Sequence, residues 1–281
     1  MPTGIIQQRD ALMRSIRAFF YERGFTEVDT PVRLSTPCME LHIDAEPSGD
    51  CFLRTSPEIF HKKLLADGYG RIFELGKCFR HGEQGPLHNP EYTMLEWYRA
   101  NADYMDVLDD TKQMIAAVWP DSDSLWRVLS VSEAFEEFAG WSPAGRFDED
   151  RFDIDLVEKV EPALKQMGGA VVLKDYPVEA AALSRRKADN PQLAERWELY
   201  INGVELANAY SELTDPVEQR HRFEECAQRR RALGKEDYGI DEEFLNAIGR
   251  MPPSGGVALG VDRLLMLMMD QSSLDQVLPF R

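Results

Sequence analysis

The stretch RWELYINGVELANAY, residues 196–210, holds two alternating runs separated by Asn202-Gly203. Both turn residues accept positive φ, and this pair between alternating runs is the strongest short hairpin signal. A two-residue turn sets Ile201 against Val204 and Tyr200 against Glu205. Glu198 and Glu205 then fall on one face as diagonal neighbours, with Cβ atoms about 7–8 Å apart. Like charges that close repel unless a cation bridges them, so the pair is a candidate for Mg²⁺ held jointly with phosphates. Two surface glutamates are the plainer alternative.

A second hairpin lies upstream. RIFELGKCFR (71–80) and PEYTMLEWYR (90–99) read as strands around the polar loop HGEQGPLHN. Alternate strand residues share a face, so Tyr92, Met94, Glu96 and Tyr98 line one side and Thr93, Leu95 and Trp97 the other. Two tyrosines around a glutamate make either a pocket wall or a solvated sheet face. Arg80 ends the first strand, where a guanidinium could clamp a carboxylate and a phosphate together.

The tail, GGVALGVDRLLMLMM, reads as a Gly-rich strand entering an apolar helix. Gly255, Gly256 and Gly260 suit a close backbone approach. Arg263 suits a triphosphate or a base, or simply an ion pair with Asp262. Helices are expected at 5–23, 57–67, 103–118, 131–139 and 216–233. FTEVDTP reads as a short strand ending at Pro31, and 170–174 as another. Hairpins with helices around them imply an α+β fold on a mostly antiparallel sheet. No G-x-G-x-x-G or G-x-x-x-x-G-K-[ST] loop occurs, so any nucleotide is held by another route.

Composition sets outer limits. The chain has 281 residues, 43% hydrophobic and 29% charged, with a formal net charge of −17. That balance argues against broad nucleic-acid binding through phosphates. No apolar run reaches the roughly 18 residues of a membrane span, and no secretory signal opens the chain. The expectation is a cytoplasmic protein with no membrane partner. Cys38, Cys51, Cys78 and Cys226 show no C-x-x-C spacing and read as reduced, mostly buried thiols.

Several stretches together resemble the class II aminoacyl-tRNA synthetases of the lysyl, aspartyl and asparaginyl subgroup. FRHGEQGPLHNPEYTMLEWY (79–98) is similar to their motif 2 and GVALGVDRLLML (256–267) to motif 3. GFTEVDTP (24–31) is similar to motif 1, the dimer interface in that family. TSPE (55–58) and WELYINGVELANAYSELTDP (197–216) match the lysyl branch. The likeness runs from about residue 8 to the end and weakens across 140–190. It implies one class II catalytic domain over 1–281, a helical insertion at about 140–190, no anticodon-binding domain, and a homodimer.

The resemblance also implies roles. Arg80 and Arg263 are the catalytic cations, Arg80 on the α-phosphate and substrate carboxylate. Tyr92 stacks on adenine with Arg263 on the other side. His81, Gly82, Glu83, His88, Asn89, Glu205, Leu206 and Gly260 complete the ATP site, and Glu198 and Glu205 hold Mg²⁺. Ser56, Pro57, Ala258 and Gly260 line the substrate pocket, with Asn208 near substrate or phosphates. Glu58 and Glu96 receive the amino group beside the reacting end, while Tyr98 and Glu212 bind the far ammonium. A lysine-like substrate needs carboxylates at both ends, because an unpaired buried charge is costly.

One departure stands out. The family has Asn-Glu after the motif 2 arginine, and here His81-Gly82 occupy those positions with Glu83 next. The glutamate that recognises adenine is therefore absent from its usual place. The chain is also similar to stand-alone paralogues that join lysine or β-lysine to a lysine of translation elongation factor P, which makes that factor the expected acceptor and tRNA an unlikely one. Ser56 and Ala258 replace the usual Ala and Gly. The methyl of Ala258 would favour a β-amino group, a difference worth about 1–3 kcal/mol. The alternatives are tRNA charging, an asparagine synthetase-type amide-forming enzyme and a non-catalytic regulatory paralogue.

Overall fold

The structure is a computed structural model that describes residues 4–120, 122, 125–181 and 183–280. In chain order they form α1 (Ile5–Glu22), β1 (Thr26–Glu27), β2 (Arg33–Leu34), β3 (Pro47–Ser48), β4 (Cys51–Leu53), α2 (Glu58–Ala66), β5 (Arg71–Phe79) and β6 (Glu91–Ala100). Next come α3 (Tyr104–Val118), β7 (Trp126–Ser130), α4 (Val131–Phe138), α5 (Glu149–Asp155), α6 (Glu161–Met167), β8 (Ala170–Pro177) and β9 (Leu193–Ile201). The chain ends in β10 (Val204–Ser211), α7 (Pro216–Ala232), α8 (Glu242–Ile248), β11 (Ser254–Gly260) and α9 (Val261–Met268). Two compact units divide it: Met1–Asn101, Thr214–Ser254 and Gly260–Arg281, then Ala102–Leu213 with Gly255–Leu259.

In the first unit β5 and β6 pair antiparallel from Arg71↔Arg99 to Phe79↔Glu91, and β1 runs parallel to β5. A three-stranded sheet, β2-β4-β3, lies apart from them in the strand order. The pleat sends Phe73 and Trp97 to one face, where Phe20 of α1 meets them at 4.8 and 5.3 Å between ring centroids. The opposite face of β6 is no solvated surface, since Met94, Glu96 and Tyr98 are buried, as are Thr93, Leu95 and Trp97. Asp262 at the start of α9 accepts from the Thr93 amide at 2.7 Å and pairs with Arg9 at 2.5 Å. That leaves Arg263 to other partners.

In the second unit the order is β11-β10-β9-β8-β7, antiparallel except for the β7–β8 pair. The Asn-Gly turn forms as its residues demand, with φ of 50° at Asn202 and 77° at Gly203. Ile201 faces Val204 and Tyr200 faces Glu205. A register shift between Glu205 and Ala207 then sets Glu198 opposite Asn208. Directly opposed residues share a face, so Glu205, Tyr200, Glu198, Asn208, Arg196 and Tyr210 still point the same way.

Within 140–190, helices occupy Glu149–Asp155 and Glu161–Met167, joined by a π-helical turn. Phe152 of α5 stacks on Phe135 of α4 at 4.7 Å. β8 follows, longer than the 170–174 run suggested, and pairs on both sides. Gly255 serves packing instead of a ligand: an added Cβ would stand 2.7 Å from the Asp103 carbonyl oxygen and 2.9 Å from Val107. No helix among the described residues is long and apolar enough to cross a membrane.

Candidate active site

In the first unit Arg80 follows β5 directly. Its guanidinium stands 5.2 Å above the Tyr92 ring and 3.6 Å from Glu83. Tyr92 donates to the Thr55 carbonyl at 2.8 Å, which aims its ring from the strand face. His81 Nδ1 meets Glu46 at 2.7 Å and its amide donates to the Asp44 carbonyl. Gly82 takes a left-handed φ of 74° at the loop's turn. His81 therefore packs outward on Glu46, and Glu83 is the acid that stays beside Arg80.

The cation over Tyr92 is thus Arg80. Arg263 instead donates to the Leu87 carbonyl at 3.1 Å and lies 2.8 Å from His88 Nε2. A guanidinium only donates, so His88 Nε2 must accept. Burial and then the Arg263 charge hold the His88 pKa below its ordinary value. Asn89 donates to the Glu91 carbonyl and closes the same turn. Gly260 is the residue before α9, and a Cβ there would meet Arg263 at an ordinary 3.7 Å.

Deeper in this unit lies a chain of buried ionic groups. Arg54 pairs with Glu74 at 2.6 Å and also donates to the Lys77 carbonyl and to Thr30. His61, fully buried on α2, puts Nε2 3.0 Å from Glu74 Oε2 and Nδ1 3.2 Å from Glu96 Oε1. Tyr98 donates to the same Glu96 oxygen at 2.9 Å. Pro57 stands just before α2, and Glu58 in its first turn pairs with the fully buried Lys62 at 2.6 Å. Burial pushes the Glu58 carboxyl up against the pull of Lys62. The Ser56 and Thr55 hydroxyls are buried without a hydrogen-bond partner. A buried hydroxyl normally finds one, so this pair suits a polar ligand.

The second unit carries the other acids. Glu198 Oε2 accepts from Tyr176 at 2.6 Å and Tyr200 at 2.7 Å, while Oε1 accepts from Arg196. Arg196 lies over the Tyr176 ring and donates to Asn208, whose amide donates to Tyr210. Ala258 is opposite Asn208 on the same face. Glu205 is half-buried, and its charge helps to push the Tyr176 and Tyr200 hydroxyls up, after burial and Glu198. Leu206 sits at the register shift with its side chain buried, so only its backbone could meet a nucleotide. Glu212 is buried beyond β10, where its backbone bridges Ser184.

A family model described as tRNA synthetases class II (D, K and N) matches residues 3–281. The chain belongs to that family. This class II chain is 33% identical over 312 residues to the elongation factor P–(R)-β-lysine ligase of Hamiltonella defensa subsp. Acyrthosiphon pisum, covering 99% of the chain and 95% of the relative. A ligase of the same name from Haemophilus influenzae is 36% identical, covering 97% and 93%. The lysine–tRNA ligase of Clostridium perfringens is 34% identical over 97% of the chain, but the chain spans 63% of that relative.

Among the described residues no group of three or more His, Cys, Asp or Glu could hold a metal. A Mg²⁺ ion shared with phosphates would need fewer protein ligands, because phosphate oxygens and water can complete its shell. Glu198 and Glu205 put hard oxygen donors on one face, with Glu198 held there by Arg196, Tyr176 and Tyr200. Reading the sequence alone missed Arg196, Tyr176, His61, Glu74 and Arg54. Strand parity with Glu198 could have found Arg196. Nothing in the sequence ties His61 to Glu74 and Glu96.

Proposed function

We propose that the protein is an ATP-dependent, AMP-forming ligase that activates lysine or (R)-β-lysine and transfers it to a lysine of elongation factor P. The match to ligases of that name over 95% and 93% of their lengths carries this reading. The buried carboxylates of Glu58 and Glu96, both in the first unit, suit an ammonium group of such a substrate.

In this reading the substrate carboxylate attacks the α-phosphorus of ATP, the α–β phosphoanhydride bond breaks, and pyrophosphate leaves. Arg80 spans the attacking carboxylate and the α-phosphate, and its charge offsets the negative charge that builds there. Tyr92 gives adenine a stacking face, and Arg263 leaves Leu87 and His88 for the nucleotide. Glu83, beside Arg80, takes the place of the missing adenine-reading glutamate. Glu198 and Glu205 would hold Mg²⁺, which supplies counter-charge to the polyphosphate. The acceptor ε-amine then attacks the adenylate carbonyl, the acyl–phosphate bond breaks, AMP leaves, and the amine proton goes to solvent. The reading includes a homodimer acting in the cytoplasm.

ATP–pyrophosphate exchange with α-lysine, (R)-β-lysine, aspartate and asparagine tests activation, and transfer to elongation factor P or to tRNA tests the acceptor. Exchange with a lysine isomer and transfer to the factor are expected. Transfer to tRNA alone would overturn the acceptor, and no exchange with any of the four would overturn the enzyme.

A further inference from the structure

His61 faces two acceptors. Its Nε2 lies 3.0 Å from Glu74 Oε2 and its Nδ1 3.2 Å from Glu96 Oε1. A neutral imidazole has one N–H and one lone pair, so one nitrogen would aim its lone pair at a carboxylate oxygen. Both contacts are attractive when the cluster holds one further proton, which the more basic imidazole takes ahead of a carboxylate so that both ring nitrogens donate. Burial would strip the imidazolium of its charge, yet hydrogen bonds and charges from Glu74 and Glu96 outweigh it and raise the His61 pKa.

The charges around His61 can be counted element by element. On its own helix Glu58 pairs with Lys62, and that pair is neutral wherever its proton sits, while Lys63 pairs with Asp241 of α8, the helix packed on α2, and Glu243 there is exposed to solvent. On β5 Glu74 is matched by Arg54, with the Thr30 hydroxyl donating to Glu74. The Cys78 thiol beside them is pushed up to about 12 by burial and stays neutral, as does the buried Cys38 thiol near Glu58. On β6 the Tyr98 hydroxyl donates to Glu96. Glu96 is then the one carboxylate whose counter-charge is His61. With His61 protonated the cluster is neutral, and with His61 neutral it carries one negative charge.

We propose that His61 is a charge-setting residue of the amino-acid pocket, its proton standing in on Glu96 for the ammonium group of the substrate. This rests on the reading that Glu96 receives that ammonium. An ammonium arriving at a neutral buried cluster would leave an uncompensated positive charge, which is costly. Release of the His61 proton to solvent restores neutrality and frees Glu96 for the ligand. Amino-acid binding therefore expels a proton, and affinity rises with pH until His61 is neutral in the free protein.

Calorimetric titration of the full chain with lysine and with β-lysine, in two buffers of different ionisation enthalpy, counts the protons. Both substrate ammonium groups stay charged at about pH 6, so they do not contribute to the count there. The parent should release close to one proton per amino acid at about pH 6 and progressively less as the pH rises. His61→Gln and His61→Met should release none, and their affinity should stay flat over that range. Binding by the parent without proton release, or equal release from a His61 variant, would overturn the role of His61. If neither variant folds, nuclear magnetic resonance titration of His61 in the parent with and without amino acid decides, and an imidazole that stays charged on binding overturns the role. If the parent binds neither amino acid, the proposed function falls together with this role, a result distinct from binding without release.

Discussion

Arg54 and Glu74 form a buried ion pair, Nη1 to Oε1 at 2.6 Å, across the space where Gly76 has no side chain. A Cβ at Gly76 would stand 2.0 Å from Arg54 Nη2 and 2.9 Å from Glu74 Oε1. Arg54 is already tied to Thr30 and Lys77, so it cannot swing aside without losing those bonds. Gly76→Ala should therefore cost about 3 kcal/mol or more, the scale of breaking a buried pair. Denaturant unfolding of parent and variant measures it, and a change under about 0.5 kcal/mol, the usual surface range, would refute the account.

The same pair sets an acid limit. Burial alone would raise the Glu74 carboxyl, but hydrogen bonds from His61 and Thr30 and the Arg54 charge outweigh it and hold the pKa below its ordinary value. A carboxyl lowered on folding adds stability above its unfolded pKa, about 4.3, and loses it as pH falls through the folded value. Glu74→Gln should be less stable than the parent at neutral pH, and the gap should shrink below about pH 4.3. A gap independent of pH contradicts this.

Tyr176 and Tyr200 both donate to Glu198 and fix the carboxylate's orientation. Tyr200→Phe removes one such bond, worth about 1 kcal/mol. The Mg²⁺ concentration for half-maximal pyrophosphate exchange should rise about fivefold, as that energy converts. Glu205→Gln should raise it further. An unchanged Mg²⁺ requirement in both variants counts against the metal assignment.

Arg263 lies against His88 in the structure, and the proposed function assigns it to the nucleotide. Arg263→Met should let the His88 pKa rise, though burial still holds it down. The KM for ATP should increase about tenfold or more, the scale of a charged hydrogen bond, while the amino-acid KM changes little. Nuclear magnetic resonance titration of His88 and exchange kinetics measure the two effects separately.

Glu212 is buried and assigned to the far ammonium. Glu212→Gln should weaken lysine-type substrates about tenfold or more and ATP hardly at all. Equal losses for both ligands would refute the role.

Local signals came through in the hairpins and helices, while FTEVDTP gave only the two-residue β1 and no strand reaching Pro31. Asn202-Gly203 between alternating runs set the hairpin and put Glu198 and Glu205 on one face, because turn chemistry and a two-residue period are properties of neighbouring residues. The alternation of 92–98 likewise separated Glu96 and Tyr98 from Trp97. Tertiary structure decided what those side chains meet. The register shift at Leu206 moved Asn208 opposite Glu198, β7 and α8 carried no strong pattern of their own, and Gly255 proved to be a packing residue of α3.

The ionic chain from Arg54 through Glu74 and His61 to Glu96 exists only in three dimensions, since its members come from a loop, two strands and a helix. Periodicity tells which way a side chain points. Whether a buried charge has a partner depends on segments far apart in sequence, and only folding brings those together.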